Sequence, residues 1–218
     1  MNSLHEKGYI IDSVYNYINR DEFLSICNEV KSVLVDKVKY LSFRHSSDHP
    51  SLPHKIPYTE KEQRLQLAKD LNLQVMQHWS EVTNIDECIA VILTKLKNIV
   101  NQLLFKIYPE LNASNIVHLD TVTYYENGDY INLHHDGKNV GRLCAVLLYL
   151  NSSESYKDGG GKLILNDENR YEEILPIDGN LVILDFKNHN IRHAVEPVKN
   201  NFERYCYLSF VYNRNLMK

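Results

Sequence analysis

The chain has 218 residues, 44% hydrophobic and 24% charged, with a formal net charge of −4; that length suits one domain with a full interior, and the acidic balance argues against a broad nucleic-acid-binding face. Its four cysteines, Cys27, Cys88, Cys144 and Cys206, are widely spaced and form no C-x-x-C pair, which argues against a disulfide framework or structural zinc and for reduced, buried thiols. The first ten residues, MNSLHEKGYI, lack the apolar core of a signal peptide and no apolar run is long enough to span a membrane, so a cytoplasmic location is expected.

Residues 21–41 carry apolar side chains at helical spacing, with Asp21 placed as an N-cap. The next segment, HSSDHPSLPHKIPY (45–58), holds three prolines and three histidines and cannot sustain a helix. We read it as a loop, one that could cover a substrate cleft, because proline-rich geometry gives histidines no fixed facing pair for a metal. Thr59-Glu60-Lys61-Glu62 has the form of a capping box opening a helix toward Val82, and Asn84-Ile85-Asp86-Glu87 repeats the device. In the helix after it, Ile89, Ile92, Leu93, Leu96, Ile99, Val100, Leu103, Leu104 and Ile107 follow a three-four rhythm, the stripe of a helix that buttresses a sheet. Pro109 marks its end.

From Ile116 onward the pattern changes to short strands, predicted at 117–125, 130–134, 143–150, 162–165, 171–175, 180–186, 193–198 and 205–212. Turn signals separate them at Asn127-Gly128-Asp129, Asp136-Gly137, Asp158-Gly159-Gly160-Gly161 and Asp178-Gly179. Fifteen tyrosines suit a sheet-rich half. The expectation is an α+β fold in a single domain, 1–218, with helical support and the Pro/His loop in 1–115 and a sandwich or jelly roll of about eight strands in 116–218.

Within this half, His134-His135-Asp136 contains the spacing H-x-D, two ligands of a two-histidine, one-carboxylate metal triad. With ten histidines in the chain, chance supplies about one such triplet, and His118-Leu119-Asp120 is a second. Residues two apart on a strand share a face, so a strand continuing through the triplet sets His134 beside Asp136 and leaves His135 as spacer. A third ligand must come from a distant element. The late histidines are His189, inside the turn-like string Lys187-Asn188-His189-Asn190, and His193, which opens a strand.

The blocks around the 134–136 triplet occur in a definite order. Tyr124 is followed by Asn127-Gly128-Asp129-Tyr130, His134-x-Asp136, Gly141-Arg142, and a strand closing in Tyr149-Leu150-Asn151. Then come Gly159-Gly160-Gly161-Lys162-Leu163, Pro176-x-x-Gly179, His193-Ala194-Val195-Glu196-Pro197-Val198 and Arg204-Tyr205. Over 121–213 this order resembles the Fe(II)- and 2-oxoglutarate-dependent dioxygenases, and within them the prolyl 4-hydroxylase-like branch.

The resemblance implies a double-stranded β-helix (jelly roll) with Fe(II) held by His134, Asp136 and His193, leaving positions for 2-oxoglutarate and dioxygen. It implies Arg204 as the partner of the co-substrate's far carboxylate, Tyr149 as a supporting hydroxyl, and Tyr124 as a further co-substrate or pocket contact. Cys206 stands where some relatives carry a serine. The 199–203 loop is slightly longer than in close relatives, and Arg204 faces inward only if the following strand keeps its register. Relatives that halogenate lack the carboxylate that this chain keeps as Asp136. The implied activity is hydroxylation of an unactivated C–H bond with conversion of 2-oxoglutarate to succinate, with ascorbate as an accessory reductant. A prolyl residue in a protein or peptide is the first expected substrate, and a free amino acid or small metabolite the alternative. A non-catalytic or cupin-type metal-binding jelly roll is the reading from another class. A nucleic-acid substrate is not expected: repair-type relatives carry a second arginine six residues after the first, and that position here is Phe210.

Overall fold

The computed structural model describes residues 7–35, 40–44, 55–57, 75–80, 87–136, 140–167, 170–177, 179–189 and 191–217. In chain order these form β1 (Tyr9–Ser13), α1 (Arg20–Val35), β2 (Tyr40–Arg44), β3 (Lys55–Pro57), β4 (Val75–Ser80) and α2 (Glu87–Ile107). The second half contributes β5 (Ile116–Tyr125), β6 (Tyr130–His134), β7 (Arg142–Tyr149), β8 (Leu163–Asp167), β9 (Arg170–Ile174), β10 (Asn180–Asp185), β11 (Arg192–Val195) and β12 (Arg204–Asn213).

The strands make two antiparallel walls. One runs β1-β10-β7-β12-β5 and the other β6-β11-β8-β9, and β4 bonds to both β5 and β6 and so joins them. This is the expected jelly roll. Its longest seam is β5 against β12, in register from Arg204 opposite Tyr125 to Asn213 opposite Ile116.

Both faces of the first wall are buried, for different reasons. On β7, Cys144, Val146 and Leu148 turn outward into a cluster with Phe23, Ile26 and Val30 of α1 and Leu96, Val100 and Leu104 of α2. Their neighbours Ala145, Leu147 and Tyr149 turn inward and meet Leu163 and Leu165 of β8, Val182 and Leu184 of β10, and Cys206 of β12. A central strand packed on both sides reads as a continuous apolar run, and Leu143–Leu150 is one. The α2 stripe buttresses this wall as its rhythm predicts.

The eight predicted strands are present, shifted at their ends by up to three residues. The N-terminal half departs from expectation more. The first helix ends at Val35, and the tail of the predicted 21–41 helix, Tyr40 and Leu41, opens strand β2, Tyr40–Arg44. The cap is Asn19: its side-chain oxygen accepts from the Glu22 amide at 2.8 Å and its carbonyl from Phe23 at 3.0 Å, which puts Asp21 in the first turn. The predicted helix from 59 toward 82 is overturned at its end, because Val75–Ser80 pairs with β2, β5 and β6 as a strand. The β-forming residues Val75 and Trp79, with open strand edges on offer, outweigh the helical spacing. The capping box at 59–62, residues 84–86 of the box at 84–87, and the histidines His45, His49 and His54 lie outside the described residues. Lys55–Pro57, within the predicted loop, pairs with β2.

Candidate active site

The ladder brings two histidines together first. β11 lies between β6 and β8, and its register sets His193 opposite His134. Their rings stand 4.3 Å apart between centroids. β6 ends at His134, so the aspartate two residues on is not carried by the strand, as the same-face argument assumed. Its carboxylate nevertheless returns to the pair: Asp136 Oδ1 lies 3.6 Å from His134 Nε2 and Oδ2 lies 3.5 Å from His193 Nε2. One donor atom from each residue lies within 4.8 Å of the others. His135 is exposed and stands outside this cluster.

The donor set suits a divalent transition metal. His134 Nδ1 lies 2.7 Å from the Asn132 carbonyl, which can only accept, so Nδ1 carries the proton and Nε2 presents its lone pair. Two imidazoles and one carboxylate on one side, with the other side open, are the arrangement of non-haem Fe(II) oxygenases.

The same cavity continues inward past Thr123, Ala145, Leu147, Leu163 and Leu184 to Arg204. Arg204 is 1% exposed. Its Nε donates to the Gly161 carbonyl at 2.9 Å and one terminal nitrogen to the Tyr149 hydroxyl at 3.4 Å. The guanidinium carbon lies 4.8 Å from the Tyr125 ring centroid and 5.1 Å from that of Tyr149. Among the described residues no carboxylate pairs with it. A guanidinium stays charged in a protein, and a buried charge without a counter-ion is costly, so this pocket end fits a ligand that brings its own carboxylate. A dicarboxylate bound through the metal at one end and Arg204 at the other satisfies both. The longer 199–203 loop leaves the register intact: it turns through left-handed conformations at Asn200 and Asn201, φ +54° and +55°.

Tyr149 sits where the resemblance expects it, beside Arg204, fully buried, with its hydroxyl pKa raised by that burial. Tyr124 does not. It faces the helical side of the wall, packs on Tyr205 at 5.0 Å between ring centroids, and donates its hydroxyl to Glu203 at 3.0 Å. Its strand neighbour Tyr125, directly opposite Arg204, faces the cavity instead. Alternation along β5 forces this choice, since only one of two consecutive residues can face inward. Gly161 is also part of the site. Its φ is +67°, and a Cβ there would come within 3.0 Å of Arg204 Cδ, so the glycine run keeps room for the arginine stem. Cys206, also in the cavity wall, has its thiol pKa pushed up to about 11, mainly by burial.

His118-Leu119-Asp120 belongs to a separate polar network between α2 and the sheet. His118 contacts Ser209 and Asn101, each at 2.9 Å, and Asp120 pairs with Lys97 at 2.9 Å. Burial pushes the His118 pKa down to about 4, against the pull of Asp120 and with the push of Lys97. Folded His118 therefore stays neutral while the unfolded chain takes up a proton below about 6.5, and stability falls as pH drops through that window. Between about pH 7 and pH 5 the wild type is expected to lose on the order of 2 kcal/mol more than His118→Asn. Paired urea melts check this, and equal pH dependence of the two proteins would refute it.

Residues 120–212 match the family model described as the 2OG-Fe(II) oxygenase superfamily. No curated protein matches the chain significantly. Among solved structures, a prolyl hydroxylase from Trichoplax adhaerens, in complex with a hypoxia inducible factor oxygen degradation domain peptide fragment, is similar at TM-score 0.71 and 20% identity, over 99% of this chain and 88% of that one. A prolyl-4-hydroxylase from Pseudomonas putida is similar at 0.63 and 14%, over 98% and 96%. The 2OG complex of the viral collagen prolyl hydroxylase from Paramecium Bursaria Chlorella virus-1 is similar at 0.55 and 14%, over 96% and 97%. At these identities the structures speak for the fold.

Proposed function

We propose that this chain, a 2-oxoglutarate-dependent dioxygenase through the 2OG-Fe(II) oxygenase superfamily domain at 120–212, hydroxylates a prolyl residue in a protein or peptide. The observation that supports the oxygenase site is one cavity with a two-histidine, one-carboxylate cluster at its mouth and, at its base, a buried guanidinium with no carboxylate partner among the described residues. The prolyl substrate is supported by the kind of structure the chain resembles along nearly its whole length.

In this reading His134, Asp136 and His193 hold Fe(II), and Arg204 with Tyr149 binds the far carboxylate of 2-oxoglutarate. When bound, iron and 2-oxoglutarate together supply the oxidising power, through decarboxylation to succinate with uptake of dioxygen. The protein's own part is positional. The β6–β11 ladder fixes the two imidazoles, the Asn132 carbonyl fixes the His134 tautomer, and Arg204 sets the co-substrate's depth through charge-assisted hydrogen bonds. The apolar side chains of Ile131, Leu147, Leu163 and Val195 line the cavity and keep bulk water from it.

Anaerobic addition of Fe(II) and 2-oxoglutarate is expected to produce a visible charge-transfer band, absent from His134→Ala and His193→Ala. A wild-type protein with no band overturns the oxygenase site. A succinate-release screen over proline peptides, free amino acids and small metabolites then tests the substrate, and turnover confined to the non-peptide members would refute the prolyl reading.

A further inference from the structure

The two histidines of the cluster are held by paired strands, but the ladder stops at His134 and the carboxylate sits two residues beyond it. Something else must return Asp136 to the imidazoles. Among the described residues, the side chain of Arg142, the first residue of β7, reaches its main chain. One terminal nitrogen of Arg142 donates to the Asp136 carbonyl at 3.0 Å. Its Nε donates to the Tyr212 hydroxyl at 3.1 Å. The guanidinium carbon lies over the rings of Phe210, 4.5 Å from the centroid, and Tyr212, 5.5 Å. Phe210 is itself a wall of the cavity.

Each contact constrains a different degree of freedom. The Phe210 ring bounds the guanidinium on one side, the Tyr212 hydroxyl holds its Nε, and a terminal nitrogen reaches one further point. That point is the backbone oxygen of the residue whose carboxylate lies 3.6 and 3.5 Å from the two histidines. A rigid planar fork can make these contacts together, whereas an ammonium on a flexible stem cannot.

We propose that Arg142 is a positioning residue for the metal carboxylate: it replaces the missing ladder and holds Asp136 in register with His134 and His193. The inference rests on the metal-site reading above, and its test separates the two. Co(II) alone is the probe, titrated anaerobically into the full chain and followed by its ligand-field absorption, so that no turnover is needed. Arg142→Ala is expected to bind Co(II) about 10–100-fold more weakly, the range lost when the groups that orient metal ligands are removed. Its absorption should move toward that of Asp136→Ala. Tyr212→Phe, which removes one support of the fork and leaves the donor to Asp136 in place, should lose less than Arg142→Ala.

Metal-free thermal melts run beside these titrations. A merely structural role lowers the melting temperature without changing the Co(II) spectrum, and that pattern would defeat the proposal. If Arg142→Ala does not fold, Arg142→Lys serves, with an expected loss of about fivefold or more because the fork is gone. Either variant, folded and binding Co(II) within about twofold of wild type, overturns the positioning role alone. A wild type that binds no Co(II) overturns the metal site together with it.

Discussion

Asp136→Ala is expected to lower succinate release by more than about 100-fold, since even groups that only orient a ligand are worth 10–100-fold in metal affinity or activity. The effect has two sources. Removing the carboxylate takes away one of three donors, and it takes away the negative charge lying between two imidazoles. His193→Ala should match it in size. The folded structure should survive both changes, because neither side chain carries a strand pairing. The check is succinate release beside a metal-free melt. An Asp136→Ala protein that keeps more than about a tenth of wild-type turnover would remove the carboxylate from the site.

The second large effect is expected at Arg204, and it has an unusual signature. Hydrogen bonds to charged groups contribute about 1.5–3 kcal/mol each, so losing a two-pronged contact should raise the KM for 2-oxoglutarate by at least about 100-fold. Arg204→Met is the informative variant, because it fills similar volume without charge. Replacing an uncompensated buried charge by an apolar side chain is often neutral or stabilising. Against that stands the lost donor to the Gly161 carbonyl, worth about 1 kcal/mol. The ligand-free melting temperature should therefore change little while the stabilisation conferred by 2-oxoglutarate disappears. A melting temperature that collapses with KM unchanged would make Arg204 a structural residue and refute the assignment.

The parts of this site that were legible in the sequence share a cause. His134, Asp136, His193 and Arg204 belong to ordered blocks of sequence, whereas the same-face argument for the triplet reached its pair without the strand it assumed, because β6 ends at His134. Tyr124 shows the limit. Whether Tyr124 or Tyr125 faces the cavity depends on β5 being set against β12 with Tyr125 opposite Arg204. That register joins residues nearly eighty positions apart, and nothing in the local pattern Thr-Tyr-Tyr fixes it. The one available signal is parity: once Arg204 is placed inward, its antiparallel mate must follow.

The same distinction explains the N-terminal half. The α2 stripe is periodic and was legible. The strands at Tyr40–Arg44 and Val75–Ser80 owe their conformation to distant partners, β2 to β3 and β4, and β4 to β5 and β6. Their own residues are compatible with more than one period, so the partners decide. Arg142 is a similar case. The Gly141-Arg142 block was visible, but its meaning appears only when β12 brings Phe210 and Tyr212 beneath the guanidinium.

The bridging position of β4 has a consequence for how the molecule can be cut. The superfamily match begins at residue 120, yet the circumference is completed by a segment some forty positions earlier. A fragment starting at β5 keeps every proposed iron and co-substrate residue and still leaves raw margins, rows of amide and carbonyl groups along β5 and β6 where β4 had been and along β10 where β1 had been. Such margins recruit other chains. The minimal autonomous unit is therefore set by hydrogen-bonding topology, and transplanting the catalytic half into a relative would require the early strands to travel with it.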